Sequence, residues 1–280
     1  MVSGQRSVGS KVVSATGRIY NRLLTGQTCS EFLSDQTFTT AEPVILALDT
    51  SSKATSIAVA KGANLLNSIH TAPDEKRSEK LWTEIESLLS QAGLAIRDVD
   101  LFAVCVGPGG FTGLRVGMAA VKGLASATNK PIVGITSLEA AAFAARPATE
   151  VCALVNAYKG EVYSQLFSFD GDGVPVRQNE PMVSSFELAL ERVAGLKTVA
   201  FAGDGAKALG LAPVAVGSGL AGQHDCCAEA IARLAFLKYA RGKVETPETL
   251  RACYVRQSEA EIKLSLGLLG SKIKRSIESG

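Results

Sequence analysis

Three short stretches of this 280-residue sequence combine residue types that could hold an anion or support acid–base chemistry. The first is Asp49-Thr50-Ser51-Ser52. A carboxylate at the end of a buried strand, beside hydroxyls and tight-turn amides, can hold a magnesium-bound phosphate. The same four residues also build an Asx-turn that satisfies its own backbone, and on residue types alone that reading leads. The second stretch is Gly107-Pro108-Gly109-Gly110-Phe111-Thr112-Gly113-Leu114-Arg115. Its glycines let the backbone approach a neighbour or an anion, and the helix that follows offers unpaired amides. It is not a Walker A loop, because the GK[ST] ending is missing. The third, Gly203-Asp204-Gly205, is a strand-end turn that either approaches an adenine or reverses the chain.

Other chemistries find little support. No G-x-S-x-G occurs, and His70 and His224 are the two histidines available as a general base. Neither sits in a metal-binding spacing such as HExxH, so a protein-built zinc or iron site is not expected. The six cysteines form no CxxC pair, and Cys105 and Cys152 lie in apolar runs where a thiol acts as a small core residue. This usage suits a reducing cytosol. Asp170-Gly171-Asp172-Gly173 lacks the further ligands of a calcium loop and reads as a turn. Lys272, Lys274 and Arg275 form a small basic cluster without interleaved aromatics, better read as a solvated tail.

The elements that position these stretches are legible from periodicity. Val44–Leu48 is a continuous apolar run, as a strand buried on both faces would be. Thr55–Ala60 and Leu65–His70 are two further strands around a turn at 61–64. Ser78 is placed to cap a helix reaching about Ala92, with Leu81, Trp82, Ile85, Leu88 and Leu89 on one face and Gly93 as its stop. Leu101–Val106 is a buried strand running into the glycine-rich stretch, then a helix to about Thr128. On that helix Gly113, Gly117 and Ala120 share a face, with Gly123 and Ala127 close by. Such a smooth stripe admits a closely packed helix, and the residues leave open whether it is internal or a partner's. Ile132–Ile135 is a strand, and Ser137 is placed to cap an alanine-rich helix to about Ala145.

Arg146-Pro147-Ala148-Thr149 reads as a hinge. Beyond it, Val151–Asn156 and Glu161–Phe169 are strands, Phe186–Ala194 a helix, Thr198–Ala202 a strand, and Cys226–Arg241 an amphipathic helix. Two β-then-α blocks meeting at a hinge imply a duplicated α/β architecture. The division expected is an extension over 1–42, one lobe over 43–146, a second over 147–261 and a tail over 262–280. The helix at 226–241 is free to pack back on the first lobe.

Composition bounds the rest. Hydrophobic content of 46% with 6% aromatics gives a core of Ala, Val, Leu and Ile. A net charge of +2 provides no global field for nucleic acid. No run of about 18 apolar residues suggests a membrane span. Residues 1–42 carry Arg6, Lys11, Arg18 and Arg22 and no acid before Glu31. That composition overlaps with organelle transit peptides, although a disordered extension is the simpler reading.

Taken together, four stretches resemble the TsaB family, also described as YeaZ-like glycoprotease homologues. They are Ile45-Leu46-Ala47-Leu48-Asp49-Thr50-Ser51, Gly107 through Gly117, Gly203-Asp204-Gly205, and Tyr254-Val255-Arg256 followed by Glu259-Ala260-Glu261. The glycine-rich stretch is specific to the family; each of the others is weak by itself. The resemblance covers about Val44 to Glu261.

The resemblance implies a two-lobed actin/Hsp70-like (ASKHA) ATPase fold, with duplicated ββαβα-type domains and a mixed sheet in each lobe. It places Asp49, Thr50, Ser51 and Ser52 at a degenerate first phosphate loop, with Gly203, Asp204 and Gly205 as further nucleotide-site candidates. No tightly bound cofactor is implied, while ATP or ADP with magnesium at a cleft or subunit interface stays open. It implies a cytoplasmic, non-catalytic subunit that activates a TsaD-type catalytic partner, joined by a TsaE-type ATPase. That assembly threonylcarbamoylates the adenosine beside the anticodon of tRNAs reading codons that begin with A. A weak actin-like ATPase or phosphotransferase, or a peptidase, is the alternative, and a homodimer is a further one. The implied partner surface comprises Ser78, Leu81, Trp82, Ile85, Gly109, Phe111, Thr112, Gly113, Arg115, Gly117 and Ala120. On that reading Gly117→Glu should abolish the complex and leave the monomer folded. Two departures stand out. Arg77 takes a place where many relatives carry His, and Gly110 one where Ser is common.

Overall fold

The computed structural model describes residues 42–71, 77–196, 199–208 and 228–256. Expectations for residues 1–41, for Glu259-Ala260-Glu261, for the tail and for the side chain of Ser78 lie outside the described residues.

Strand β1 (Val44–Asp49) is buried at every position, as its unbroken apolar run requires. It pairs antiparallel with β2 (Thr55–Lys61), which pairs antiparallel with β3 (Asn64–Thr71). On its other side β1 runs parallel to β4 (Leu101–Gly107), and β4 runs parallel to β5 (Ile132–Thr136). The sheet order is β3-β2-β1-β4-β5. Alternation along the central strands sends Leu46, Leu48, Phe102 and Val104 to one face. There they meet Leu81, Ile85 and Leu88 of helix α1 (Arg77–Gln91) and Met118 and Val121 of α2 (Phe111–Thr128). Ile45, Ala47, Ala103 and Cys105 point the other way, onto α3 (Ser137–Ala144) and the helix Ala228–Tyr239 described below.

The second sheet repeats the plan. Strand β6 (Val151–Tyr158) pairs antiparallel with β7 (Glu161–Phe169) and parallel with β10 (Ala200–Ala202). Two short strands, β8 (Pro175–Arg177) and β9 (Met182–Ser185), add to the far edge of β7. Both escape sequence reading because they are three and four residues long and lie in a stretch broken by prolines. Helices α4 (Phe186–Glu191) and α5 (Asp204–Ala208) cover one face through Ala189 and Ala206. Each sheet is mixed, and each has a strand paired antiparallel on one side and parallel on the other, so the second lobe repeats the first.

Helix α3 serves both sheets. Ala140 and Phe143 face the first, whereas Leu138 and Ala142 face the second. A helix squeezed between two sheets needs small side chains all round, which accounts for its alanines. Its cap is Thr136 and not Ser137. Thr136 Oγ1 accepts from Glu139 N at 3.0 Å while Glu139 Oε2 accepts from Thr136 N at 3.0 Å. Ser137 instead donates to Pro108 O at 2.6 Å, tying the helix start to the glycine-rich turn.

The last described helix, α6 (Ala228–Tyr239), covers the first sheet with Ile231, Leu234 and Ala235. After it the chain stays there: Ile132 and Glu245 exchange backbone hydrogen bonds, and Cys253 N donates to Val106 O at 2.7 Å. By packing, therefore, 228–253 lies against the first sheet. The apolar face of α6 is what draws the segment back.

Candidate functional site

Asp49 ends β1 with its side chain buried. Its Oδ1 accepts from Ser51 N at 2.9 Å and from Ser51 Oγ at 2.6 Å, the geometry of an Asx-turn. Thr50 Oγ1 donates to Gly113 O at 2.7 Å, and Ser51 O accepts from Gly110 N at 2.6 Å. Ser52 Oγ accepts from Ala54 N at 3.1 Å. The groups that sequence offered to a phosphate thus hold the 49–52 loop against the glycine-rich turn. A magnesium-bound phosphate at this loop would compete with these bonds for Asp49 Oδ1 and Ser51.

The glycines explain how the two segments come so close. A Cβ on Gly109 would sit 2.5 Å from Ser51 O, and one on Gly113 would sit 2.0 Å from Thr50 O. On Gly117 it would meet Thr50 Oγ1 at 2.3 Å. The smooth stripe of α2 is therefore turned inward against Thr50, and Ala120 is buried beside it. Leu81 and Ile85 are likewise core residues, 2% and 3% exposed. These five positions are corrected from partner surface to internal packing, because the loop after β1 and the first sheet already cover them. Gly109 is half-buried against Ser51 and belongs with them.

What remains outside is a different face. Trp82 is 51% exposed on α1, and Phe111 36% exposed at the start of α2, next to exposed Thr112 and Arg115. The Arg115 guanidinium lies 3.8 Å over the Phe111 ring, a cation–π contact. Tyr254, 50% exposed, stands 5.2 Å from Phe111 between ring centroids. The outer ridge of α2 continues as Ala119, Gly123 and Ala127, all exposed, and nothing lies within 4 Å of a Cβ built on Gly123. Helical spacing places Ala119, Gly123 and Ala127 four residues apart on one face. Tyr254 and Ala119 were not singled out as surface residues from sequence; for Tyr254 the signal was its place in the terminal Tyr-Val-Arg motif.

Gly203-Asp204-Gly205 joins β10 to α5. Gly203 has φ +96°, and a Cβ there would meet Leu154 O at 2.3 Å. Asp204 Oδ1 accepts from Asn156 N at 3.0 Å. This turn clasps the end of β6, so its glycines serve close backbone packing. Lys53 Nζ lies 5.5 Å from the Tyr158 ring centroid, linking the loop after β1 to the β6–β7 hairpin.

Electrostatics concentrate at the joint between lobes. Glu139 on α3 pairs with Lys238 at 3.1 Å and Arg177 at 3.3 Å. Burial pushes its carboxyl up, but Lys238, the Thr136 amide and Arg177 together outweigh that and hold it below the usual range. Asp170 Oδ2 and Asp172 Oδ2 are engaged by Arg241 at 2.6 Å and 2.8 Å, which makes the 170–173 turn an ion-paired one. Among the described residues no cluster of His, Cys, Asp and Glu is arranged to hold a metal ion.

Comparison with known proteins gives a consistent picture. Residues 71–230 match the family model described as TsaD: tRNA N6-adenosine threonylcarbamoyltransferase. The chain is 30% identical over 152 residues to the Escherichia coli protein named tRNA threonylcarbamoyladenosine biosynthesis protein TsaB, covering 53% of this chain and 65% of that one. To the Haemophilus influenzae protein of the same name it is 35% identical over 122 residues, 42% of this chain and 51% of that one. The chain thus spans between half and just under two thirds of these curated relatives. Among solved structures, YeaZ from Pseudomonas aeruginosa superposes with a TM-score of 0.63 at 29% identity, covering 76% of this chain and 99% of that one.

Proposed function

The chain belongs to the TsaD family, within it resembles the TsaB (YeaZ-like) members, and on that premise we propose that it is a non-catalytic partner subunit in tRNA threonylcarbamoyladenosine biosynthesis. It binds and activates a TsaD-type catalytic subunit, and a TsaE-type ATPase and tRNA join through that assembly in the cytoplasm. The observation that carries the reading is the outer face of α1 and α2. Trp82 on α1, and Phe111 with Tyr254 at the start of α2, are large apolar groups left exposed, and the outer face of α2 carries a ridge of Ala119, Gly123 and Ala127 that lets a second helix approach closely. The inner face of the same two helices is already filled by the first sheet.

Gly123→Glu and Trp82→Glu are the clean perturbations, because neither side chain has a core to disturb. Sedimentation of the chain with the TsaD-type subunit of its own host should show a complex that both variants lose, with melting temperatures kept. Binding undiminished by both substitutions would remove the support for this surface. A lone chain that sediments as a dimer and is dispersed by Gly123→Glu would favour homodimerisation through the same helices.

The ATPase or phosphotransferase alternative rests on Asp49 at the end of β1. It requires turnover that vanishes in Asp49→Ala, measured on purified protein with and without the partner. The Asx-turn that engages Asp49 and Ser51 argues for the partner-subunit reading instead.

A further inference from the structure

The last described segment of the chain lies along one flank of α2. Near the end of that helix Lys122 Nζ donates to Leu250 O at 3.0 Å, and at its start the Tyr254 ring stands 5.2 Å from Phe111, tilted by 37°. Between these points Cys253 N, donating to Val106 O, holds the segment down. Helical spacing puts Phe111, Arg115 and Lys122 on one line along α2, about 16 Å from end to end. The Arg115 guanidinium sits 3.8 Å over the Phe111 ring. Arg251 Nη1 donates to the same Leu250 O as Lys122, at 3.1 Å, so two cations meet at one carbonyl. Among the described residues Arg115, Lys122 and Arg251 form no ion pair. Neither α2 nor 250–256 contains an acid. At the two ends of the strip, Glu248 accepts from Thr246 Oγ1 at 2.6 Å and Glu161 is paired with Arg256.

We propose that Phe111, Arg115, Lys122, Arg251 and Tyr254 form a strip that binds a single-stranded segment of RNA. The inference deepens the proposed function by giving this chain a direct RNA contact, and it rests on that function for the choice of RNA. The exposed ring of Tyr254 and the guanidinium plane of Arg115, backed by Phe111, are two stacking surfaces side by side, and every unpaired base offers a flat face to such a surface. Lys122 and Arg251, two turns of α2 beyond Arg115, supply positive charge to the backbone phosphates that connect the bases. A duplex presents its phosphates but keeps its bases stacked inside, and an acidic peptide would use the cations and leave the rings uncovered. The net charge of +2 gives the whole molecule no field for nucleic acid, so attraction is confined to this acid-free strip.

The test follows a fluorescent single-stranded oligoribonucleotide by anisotropy as the full chain is added in low-salt buffer. Binding should be saturable and should weaken as salt rises. Tyr254→Leu keeps an apolar group without a stacking face and should weaken binding at least about fivefold, whereas Tyr254→Phe should keep the parent's affinity. Arg115→Gln is the second variant and should weaken binding by a similar factor at an unchanged melting temperature. Lys122→Gln combined with Arg251→Gln should reduce the slope of log affinity against log salt by about one to two. The same RNA annealed into a duplex, and polyglutamate, should compete poorly. The proposal is overturned by any of four results: no saturable binding, full affinity in both Tyr254→Leu and Arg115→Gln, a salt slope unchanged by loss of the two cations, or equal competition by duplex or polyglutamate. Sedimentation of the parent with the TsaD-type subunit is run alongside. A complex without RNA binding removes this inference alone, whereas RNA binding without a complex removes the proposed function and leaves the strip.

Discussion

Replacing Gly117 with alanine should destabilise this protein, although Gly117 lies inside an 18-residue helix where alanine is ordinarily preferred. Propensity alone predicts a gain of about 1 kcal/mol. Against it stands a Cβ built 2.3 Å from Thr50 Oγ1, with Thr50 Cγ2 at 3.5 Å. Rotating Thr50 exchanges its hydroxyl for its methyl in the same space and breaks the 2.7 Å bond to Gly113 O. Losing that bond costs about 0.5–1.5 kcal/mol, and overpacking the contact typically adds about 1–3 kcal/mol. The net is a loss of about 2 kcal/mol, seen as a fall of about 3–4 °C in melting temperature for a chain of this size. Thr50→Ala removes the obstructing atoms and leaves its own Cβ at an ordinary 3.4 Å from the new methyl. Gly117→Ala should therefore cost much less in the Thr50→Ala background, with a coupling above about 1 kcal/mol in a double-mutant cycle by urea unfolding. A rise in stability for Gly117→Ala, or additivity of the pair, would refute the close approach of α2 to the 49–52 loop. The same geometry revises the meaning of Gly117→Glu: a lost complex in that variant would report a disturbed fold and not a partner contact.

Glu139 gives the molecule an acid-sensitive joint. Its folded carboxyl sits below its ordinary value, so its contribution is complete above the ordinary carboxylate range and is lost as pH falls through the depressed folded value. Melting curves of the parent and Glu139→Gln should be furthest apart at neutral pH and converge on acidification; a constant gap would contradict this. Burial, with Arg192 opposing, pushes the Cys152 thiol up to about 11. Cys152 should therefore resist alkylation at pH 8 in the native chain and react only on unfolding, as peptide mass mapping would show; rapid native labelling would place it outside the core.

Much of the architecture was legible from local signals. The apolar run Val44–Leu48 and the strand Leu101–Gly107 are buried on both faces, as their unbroken hydrophobicity demands. The helix expected over 78–92 forms over Arg77–Gln91, and its Leu81, Ile85 and Leu88 line the core. Short edge strands such as Pro175–Arg177 were not legible, because three residues beside a proline carry no period. The cap of α3 was misplaced by one residue, since both Thr136 and Ser137 are good capping types and only the reciprocal bond to Glu139 separates them.

The sequence by itself determined that α2 has a glycine-smoothed side, that Asp49-Thr50-Ser51-Ser52 forms a turn after a buried strand, and that the two belong to a recognisable family pattern. Periodicity establishes which residues share a face of a helix. It carries no information on what lies opposite that face, because the covering group can come from anywhere in the chain. Here it comes from Thr50, 63 residues before Gly113. Tertiary structure alone decided that Gly113 and Gly117 are spent on this internal contact, leaving Ala119, Gly123 and Ala127, on the ridge that begins at Phe111, as the side turned to solvent.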